Sequence, residues 1–345
     1  MSGRLKYSTH ACIGLIPAFL LGSQVFSEQT FEIELDAPVH DRWFYPFNGN
    51  AGERPLASTF TAFGSEFDFF DDRDGQVLLG FETQTVVPSG MEPGAYRITS
   101  GRITLMIESD DIIYDPTPDP WQTFQIDGPA DEDPGRANIV SGVAFRDGFD
   151  GWSFGESGPY GNVDIGGRNA YPIDFDSDGA AFDISNSLTE GYQPNPFGIG
   201  LTPDVPAGEI MPALTKLTFE LDVLDPDIQC YLRRGLDDGL LSFLVTSLHA
   251  SSQQGSGGEP YPDWVMKENS LVFFDIADAA GLELEVVLAD PRGDGGDING
   301  DGSTDVTDLL LVISDWGCTC CLSDINDDGR TDVTDLLGVI SDWGN

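Results

Sequence analysis

Basic residues are scarce in this chain: 16 lysines and arginines stand against 59 aspartates and glutamates, for a formal net charge of −43. A surface of that sign repels polyphosphates and anionic lipid, which argues against nucleic acid and acidic membranes as partners. It suits divalent cations, a salty exterior or simple solubility. Histidine is scarcer still, with three. The H-E-x-x-H and G-x-S-x-G patterns are both missing, and Gly155-Glu156-Ser157-Gly158 falls short of the second. The glycine run Gly255–Gly258 lacks the Lys-Ser/Thr of a phosphate loop and reads as a flexible loop. His40 and His249 read as surface or packing residues rather than general bases. A glycosidase needs only two carboxylates at a suitable separation. With this many acids, some pair will meet almost any spacing, so spacing alone carries no information.

Long apolar runs are also few. Arg4 and Lys6 precede the stretch Ala11–Phe26, which Pro17 interrupts, and Val25 and Ser27 are small enough for the −3 and −1 cleavage positions. Residues 1–27 therefore read as a secretory signal peptide, with the mature chain starting at Glu28. The stretch is short for a spanning helix, and no other segment is long enough. Cys12 lies before the apolar core, which argues against a lipid anchor. The expected protein is exported, secreted or at the cell surface, with no membrane insertion in the mature chain. Cleavage leaves 14 basic residues against 59 acidic ones, a net −45. It also leaves Cys230, Cys318, Cys320 and Cys321, an even number that predicts disulfides in an oxidising compartment, with three pairings open. Cys318 and Cys321 spell C-x-x-C, but a redox motif would need a strand-to-helix setting, and zinc would need a fourth ligand.

Residues 28–290 read as β-rich. Apolar or alternating runs at Thr30–Leu35, Gln76–Thr85, Tyr96–Ile107, Leu214–Val223, Leu240–Leu248 and Ser270–Ile276 are separated by Gly, Pro, Asn and Asp clusters. No stretch here keeps a helical period for three turns. The pattern predicts a β-sandwich or jelly-roll-like fold, with a loop-rich insertion or small separate domain at about 115–206. Residues 291–296 (PRGDGG) offer nothing apolar to bury and read as a linker before a second domain, 297–345.

That second domain is a repeat. Asp297–Gly317 and Asp324–Gly344 match at 18 of 21 positions, 27 residues apart. Calcium wants six to eight oxygens, which a twelve-residue loop supplies from positions 1, 3, 5, 7, 9 and 12. These are Asp297, Asn299, Asp301, the Ser303 carbonyl, Asp305 and Asp308 in the first copy. In the second they are Asp324, Asn326, Asp328, the Arg330 carbonyl, Asp332 and Asp335. Gly302 and Gly329 fall at position 6, where the turn needs positive φ. Two calcium sites are predicted. After each loop, Val306, Leu309, Leu310, Ile313 and Trp316, and likewise Val333, Leu336, Leu337, Ile340 and Trp343, fall at helical spacing. The expectation is that these stripes pack on each other as a two-helix core. The segment from Asp294 onward carries twelve acidic residues and one basic, so its folding should be coupled to calcium.

Two copies of D-x-N-x-D-G-x-x-D-x-x-D-L-L, each a loop with an exit helix and no entering helix, resemble a type I dockerin with paired F-hands. The Asp at position 12 fits that family. The Gly317-Cys318 step resembles the GC-type variant found on exported bacterial proteins. The resemblance covers about 50 residues. It implies docking onto a cohesin-like protein or cell-surface scaffold, often as a tether for enzymes of polysaccharide breakdown. The sequence departs from cellulosomal dockerins at Ile313-Ser314 and Ile340-Ser341, where a basic residue is common. More loosely, Asp41–Pro55 followed by Val77–Ile107, with Asp237–His249 as a late strand, looks like a DNRLRE-type β-sandwich, a family with members implicated in polysaccharide binding.

Two further features stand out. Asp174, Asp176 and Asp178 with Gly179 spell the first half of a calcium loop, a candidate third site, although Ser185 at position 12 is a poor ligand. Trp43, Phe44, Tyr45, Trp121, Trp152 and Tyr160 could form a sugar platform, though aromatics in such a fold more often build its core. The chain thus reads as an exported non-enzymatic protein, its β region polysaccharide-binding or surface-structural. The alternatives are a dockerin-tagged glycoside hydrolase or polysaccharide lyase, and an adhesin with no glycan.

Overall fold

The computed structural model describes residues 29–65, 70–162, 167–251, 260–288, 295–299, 302–318, 320–321, 323–326 and 330–344. The expected signal peptide and linker positions 291–294 lie outside them. Fifteen strands occur among the described residues: β1 (Gln29–Leu35), β2 (His40–Phe44), β3 (Leu56–Ser58), β4 (Gln76–Glu82), β5 (Tyr96–Ile107), β6 (Asn138–Phe145), β7 (Gly161–Asn162), β8 (Gly167–Arg168), β9 (Ala170–Phe175), β10 (Ala181–Asp183), β11 (Gly198–Leu201), β12 (Thr215–Glu220), β13 (Leu240–Ser247), β14 (Asp263–Val265) and β15 (Gly281–Leu288). The α-helices are α1 (Gly151–Phe154), α2 (Ser187–Glu190), α3 (Pro226–Asp238), α4 (Ser270–Phe273), α5 (Val306–Ser314) and α6 (Val333–Ser341).

Thirteen strands form one curled antiparallel sheet, ordered β1-β15-β5-β12-β11-β6-β13-β4-β2, with β9, β10, β3 and β14 attached beside it. The fold is mainly β, as expected, but its two halves are continuous. The short β11 joins them, Gly198 and Ile199 pairing with β6, and Gly200 and Leu201 with β12. The segment 115–206 contributes β6, β9, β10 and β11 to this sheet.

Strand composition follows which faces are covered. β4 and β13 are buried on both sides, so apolar residues sit at consecutive positions, Val77–Leu79 and Phe243–Val245, rather than alternating. Val77, Leu79, Phe81, Phe243 and Val245 enter the main core, while Leu78 and Leu244 face a smaller one around Phe44, Val143 and Phe154. β5 alternates instead, because one of its faces meets water. On that wet surface Glu32 lies opposite Glu285 and Glu34 opposite Glu283, with Arg102 pairing to Glu283.

Two expectations are overturned. A thirteen-residue helix, α3, lies where no three-turn helical period was read. Its signals are local: the Asp225 carboxylate accepts from the N–H groups of Asp227 and Ile228, Pro226 takes the first turn, and Gly239 closes it at φ 77°. Ile228, Leu232 and Leu236 then seat it on the core, against β5 and β13. Ser270–Ile276, expected as a strand, opens with α4, because Asn269 caps it by accepting from Leu271 N–H. Phe273, Phe274 and Ile276 are left exposed.

Candidate functional site

The duplicated segment folds as two loop–helix units. Gly302 takes φ 89°, as loop position 6 requires. Asp297 Oδ2 accepts from Gly302 N–H at 2.8 Å. Asp308 closes the loop. Its Oδ1 accepts from the N–H groups of Ile298 and Asn299 at 2.8 and 3.1 Å, and its Oδ2 from Asp305 N–H at 2.8 Å. Asp305 in turn caps α5 by accepting from Thr307 N–H. The second unit repeats this wiring: Asp335 accepts from Ile325, Asn326 and Asp332, and Asp332 caps α6. Ser303 and Arg330 stand at position 7 of their loops. Asp301, Asp328 and Gly329 lie outside the described residues.

Asp297 and Asp308, and likewise Asp324 and Asp335, are buried, the second of each pair completely. Among the described residues no Lys, Arg or His pairs with Asp308 or Asp335. Buried carboxylate charge without a counter-cation is costly. Carboxylate oxygens are the donors a hard divalent ion takes, although the described carboxylates of these loops do not form a convergent group of three.

Most of each helix stripe does not pack on the other; of the stripe residues, only Leu309 and Leu336 turn toward a shared core. Val306, Leu310, Ile313 and Trp316, with Val333, Leu337, Ile340 and Trp343, are each between 50% and 58% exposed. The shared core is instead Ile298, Val312 and Val339, lined by Leu309, Leu311, Ile325 and Leu336. The position-12 carboxylate explains the difference. Asp308 must turn toward its own loop, which fixes the rotation of α5. At about 100° per residue, Val312 then falls about 40° from Asp308, whereas Val306, Leu310 and Ile313 fall about 140–160° away. Asp335 sets α6 in the same phase. Hydropathic spacing alone located the stripe but not the direction it faces.

The cysteine pairing is Cys230–Cys320 and Cys318–Cys321. The first bond ties the connector between the loops to α3 of the β body, and Arg233 Nη1 donates to Cys320 O at 2.8 Å alongside it. Both cysteines of the C-x-x-C motif are joined to each other. Two pairs suit an oxidising exterior. Among the described residues no helix is long and apolar enough to cross a membrane.

In the β body, Asp174, Asp176 and Asp178 do not converge. They lie along the β9–β10 hairpin, where Asp176 Oδ1 accepts from the N–H groups of Asp178 and Ala180, and Asp174 Oδ2 accepts from Asn195 N–H. The acidic groups that do converge are Asp41, Glu156 and Glu268, and Asp115, Asp119 and Asp133. Sequence reading missed both, since each joins distant segments, although D-P-T-P-D and D-E-D-P at 115–119 and 131–134 were a local signal. Burial pushes Asp119 and Glu268 up to about 7.

Most of the candidate platform aromatics are structural. Phe44 and Tyr160 stack at 4.9 Å within the smaller core, and Trp43 stacks on Tyr45 at 4.9 Å while donating to Ser58 O. Trp121 packs over Gly191. Trp152 is the exception. Its indole donates to Asp238 O at 3.1 Å and lines a cleft of about 440 Å³ with Phe145, Phe149 and Phe175. Asp150, Asp238, Asp227 and Arg234 add charge to the walls. Ser153's N–H and hydroxyl hold Asp150 below its ordinary value, while burial, then Asp237 and Asp150, raise Asp238. His249 is buried with neither ring nitrogen hydrogen-bonded among the described residues, and burial, then Arg136, lowers it to about 3.

No family model, no curated protein and no solved structure matches the chain.

Proposed function

We propose that this is an exported, non-enzymatic protein whose β body is displayed or assembled through its C-terminal calcium-binding, dockerin-like module. The observation that carries this is the pair of half-exposed apolar stripes on α5 and α6. Eight large apolar side chains, two of them tryptophans, stay half exposed, while among the described residues the core of the module is built on Ile298, Val312 and Val339. Exposed apolar faces of that kind mark association surfaces. Calcium, when bound, supplies neutralising charge to the loops. Asp297, Asn299, Asp301, the Ser303 carbonyl, Asp305 and Asp308, with Asp324, Asn326, Asp328, the Arg330 carbonyl, Asp332 and Asp335, would hold it. The partner is a cohesin-like protein or surface scaffold, and the Cys230–Cys320 bond transmits that attachment to the β body.

The polysaccharide part of the reading is supported by the Trp152 cleft, where aromatic faces suit sugar rings and the charged rim suits hydroxyls. One observation favours the alternative, a polysaccharide-degrading enzyme: Asp150 and Asp238 line that cleft with pKa values pushed in opposite directions. The test has two arms. The full chain is titrated against a panel of cohesin modules in calcium and in chelator. Binding should need calcium and weaken at least tenfold, or about 1.4 kcal/mol, in Leu310→Asp/Leu337→Asp; no binding across the panel defeats the docking reading. The full chain is also incubated with a polysaccharide panel. Retention without new chain ends supports a binding protein, whereas new ends lost in Asp238→Asn make it an enzyme.

A further inference from the structure

Between β5 and β6 the chain runs through 108–137 with a single 3-10 turn, Trp121–Phe124. Connections of this length are uncommon in compact domains unless something holds them or they carry function. Asp115 lies near one end and Asp133 near the other, yet one carboxylate oxygen from each of Asp115, Asp119 and Asp133 lies within 4.8 Å of the other two. Asp131 adds a fourth carboxylate beside Asp119. Arg136 contacts two of the four directly, its Nη1 lying 3.4 Å from Asp119 Oδ2 and also touching Asp131, and its charge reaches Asp115 without contact, so one cation serves the four carboxylates. Among the described residues no Lys, Arg or His pairs with Asp115 or Asp133.

Asp115 makes the imbalance acute. It is 3% exposed, and its Oδ2 is buried with no hydrogen-bond donor among the described residues. Its Oδ1 accepts from Thr117 N–H at 2.8 Å. The Thr117 hydroxyl lies 2.8 Å from that oxygen and 3.0 Å from Asp133 Oδ2, but has one proton to give. The other acidic group differs. At Asp41, Glu156 and Glu268 the Lys267 ammonium lies against all three carboxylates, so that group contains its own cation.

We infer that Asp115, Asp119 and Asp133 bind a divalent cation of the calcium class, which fastens the two ends of the 108–137 connection together. The donors are oxygens throughout, which selects a hard ion. Bridging positions 115 and 133 closes a stretch whose middle is held by Trp121 N–H donating to Gln193 Oε1 and Gln125 Nε2 donating to Leu188 O, and adds a clamp at its two ends. This site is separate from the two C-terminal loops and does not depend on them.

The test counts metal on the full chain, stripped with chelator and then titrated with calcium, by calorimetry and elemental analysis. In an Asp308→Ala/Asp335→Ala background, one equivalent of calcium should remain, and adding Asp115→Asn/Asp133→Asn should remove it. No remaining equivalent, or one that survives the second pair of changes, overturns the inference. Should Asp308→Ala/Asp335→Ala leave the stoichiometry of the parent unchanged, the C-terminal assignment fails instead. Loss of one equivalent in Asp115→Asn/Asp133→Asn alone still decides this site. If the latter variant does not fold, protease cleavage within 116–132 of the Asp308→Ala/Asp335→Ala chain serves. Calcium should slow it at least tenfold, and an unchanged rate overturns the inference.

Discussion

Asp308→Asn is nearly isosteric and should nonetheless open the first loop–helix unit. The carboxylate accepts three backbone hydrogen bonds from Ile298, Asn299 and Asp305, and it is fully buried. An amide nitrogen in place of either oxygen sets donor against donor, at Asp305 in one orientation or at Ile298 and Asn299 in the other. A buried donor left unmet costs about 1–3 kcal/mol, and weakening the α5 capping box adds about 1 kcal/mol. The expected loss is about 2–4 kcal/mol. The module has little to absorb it, since a core as small as Ile298, Val312 and Val339 supplies no more than about 3–5 kcal/mol. Amide exchange on the full chain in calcium is the assay. Protection of α5 should fall about 30- to 800-fold, at about 1.36 kcal/mol per decade. Asp335→Asn, the symmetric control, should do the same to α6. A fall in α5 protection of less than about threefold would refute the reasoning, because the wiring would then carry no energy.

Three further outcomes follow from the same structure. His249 has a folded pKa of about 3, below its ordinary 6.5, so the unfolded chain binds the extra proton between these values. Its contribution is present above about pH 6.5 and is lost as pH falls toward 3, with a slope of up to about 1.4 kcal/mol per pH unit. Urea unfolding should show His249→Gln with a flatter acid limb than the parent, and identical limbs would exclude the effect. Removing the Cys230–Cys320 bond, which joins residues 90 apart in sequence, with Cys230→Ser/Cys320→Ser should cost about 2–4 kcal/mol in guanidinium unfolding; a loss under about 1 kcal/mol would mean the module stays docked without it. Glu32→Lys replaces one of two like charges, Glu32 and Glu285, facing each other across β1 and β15, and should stabilise by about 0.2–1 kcal/mol at low ionic strength. The gain should shrink in 1 M salt, and its absence at low salt would count against the cross-strand repulsion.

Strands were most legible where burial and turn chemistry agreed. Tyr96–Ile107 was read with the bounds of β5, and the apolar run at Leu240 gave β13. α3 was missed because its core-facing aliphatic positions, Ile228, Leu232 and Leu236, make a narrow stripe among polar and charged neighbours. The Asp225-Pro226 start and the Gly239 stop were the better signals. The hairpin aspartates at 174–178 reproduced half a ligand spacing without the fold to close it, since Asp176 spends its oxygen on its own turn. The Asp115–Asp133 group shows the converse, with ligand-type residues assembled by a connection whose course no periodicity encodes. Near spacing is readable from sequence, whereas convergence across a loop is a property of the folded sheet.

The same consideration links metal to docking in the C-terminal module. Asp308 and Asp335 serve at once as loop-closing carboxylates, as capping partners of α5 and α6, and as the residues that fix each helix's rotation. Stripe exposure is therefore a consequence of how the loops close, rather than a separate feature of helix hydropathy. On the proposed reading, losing calcium leaves buried carboxylates uncompensated and removes the constraint that holds the stripes outward. Partner binding must then be linked to calcium, and linkage is reciprocal. A partner that gains tenfold in affinity from calcium must raise calcium affinity by the same factor, about 1.4 kcal/mol in total across the loops it engages. Calcium titrations with and without a saturating partner measure that factor directly. Equal calcium affinity in both would mean that the stripes face outward whether or not the loops are filled, and that helix phase is set by the core alone.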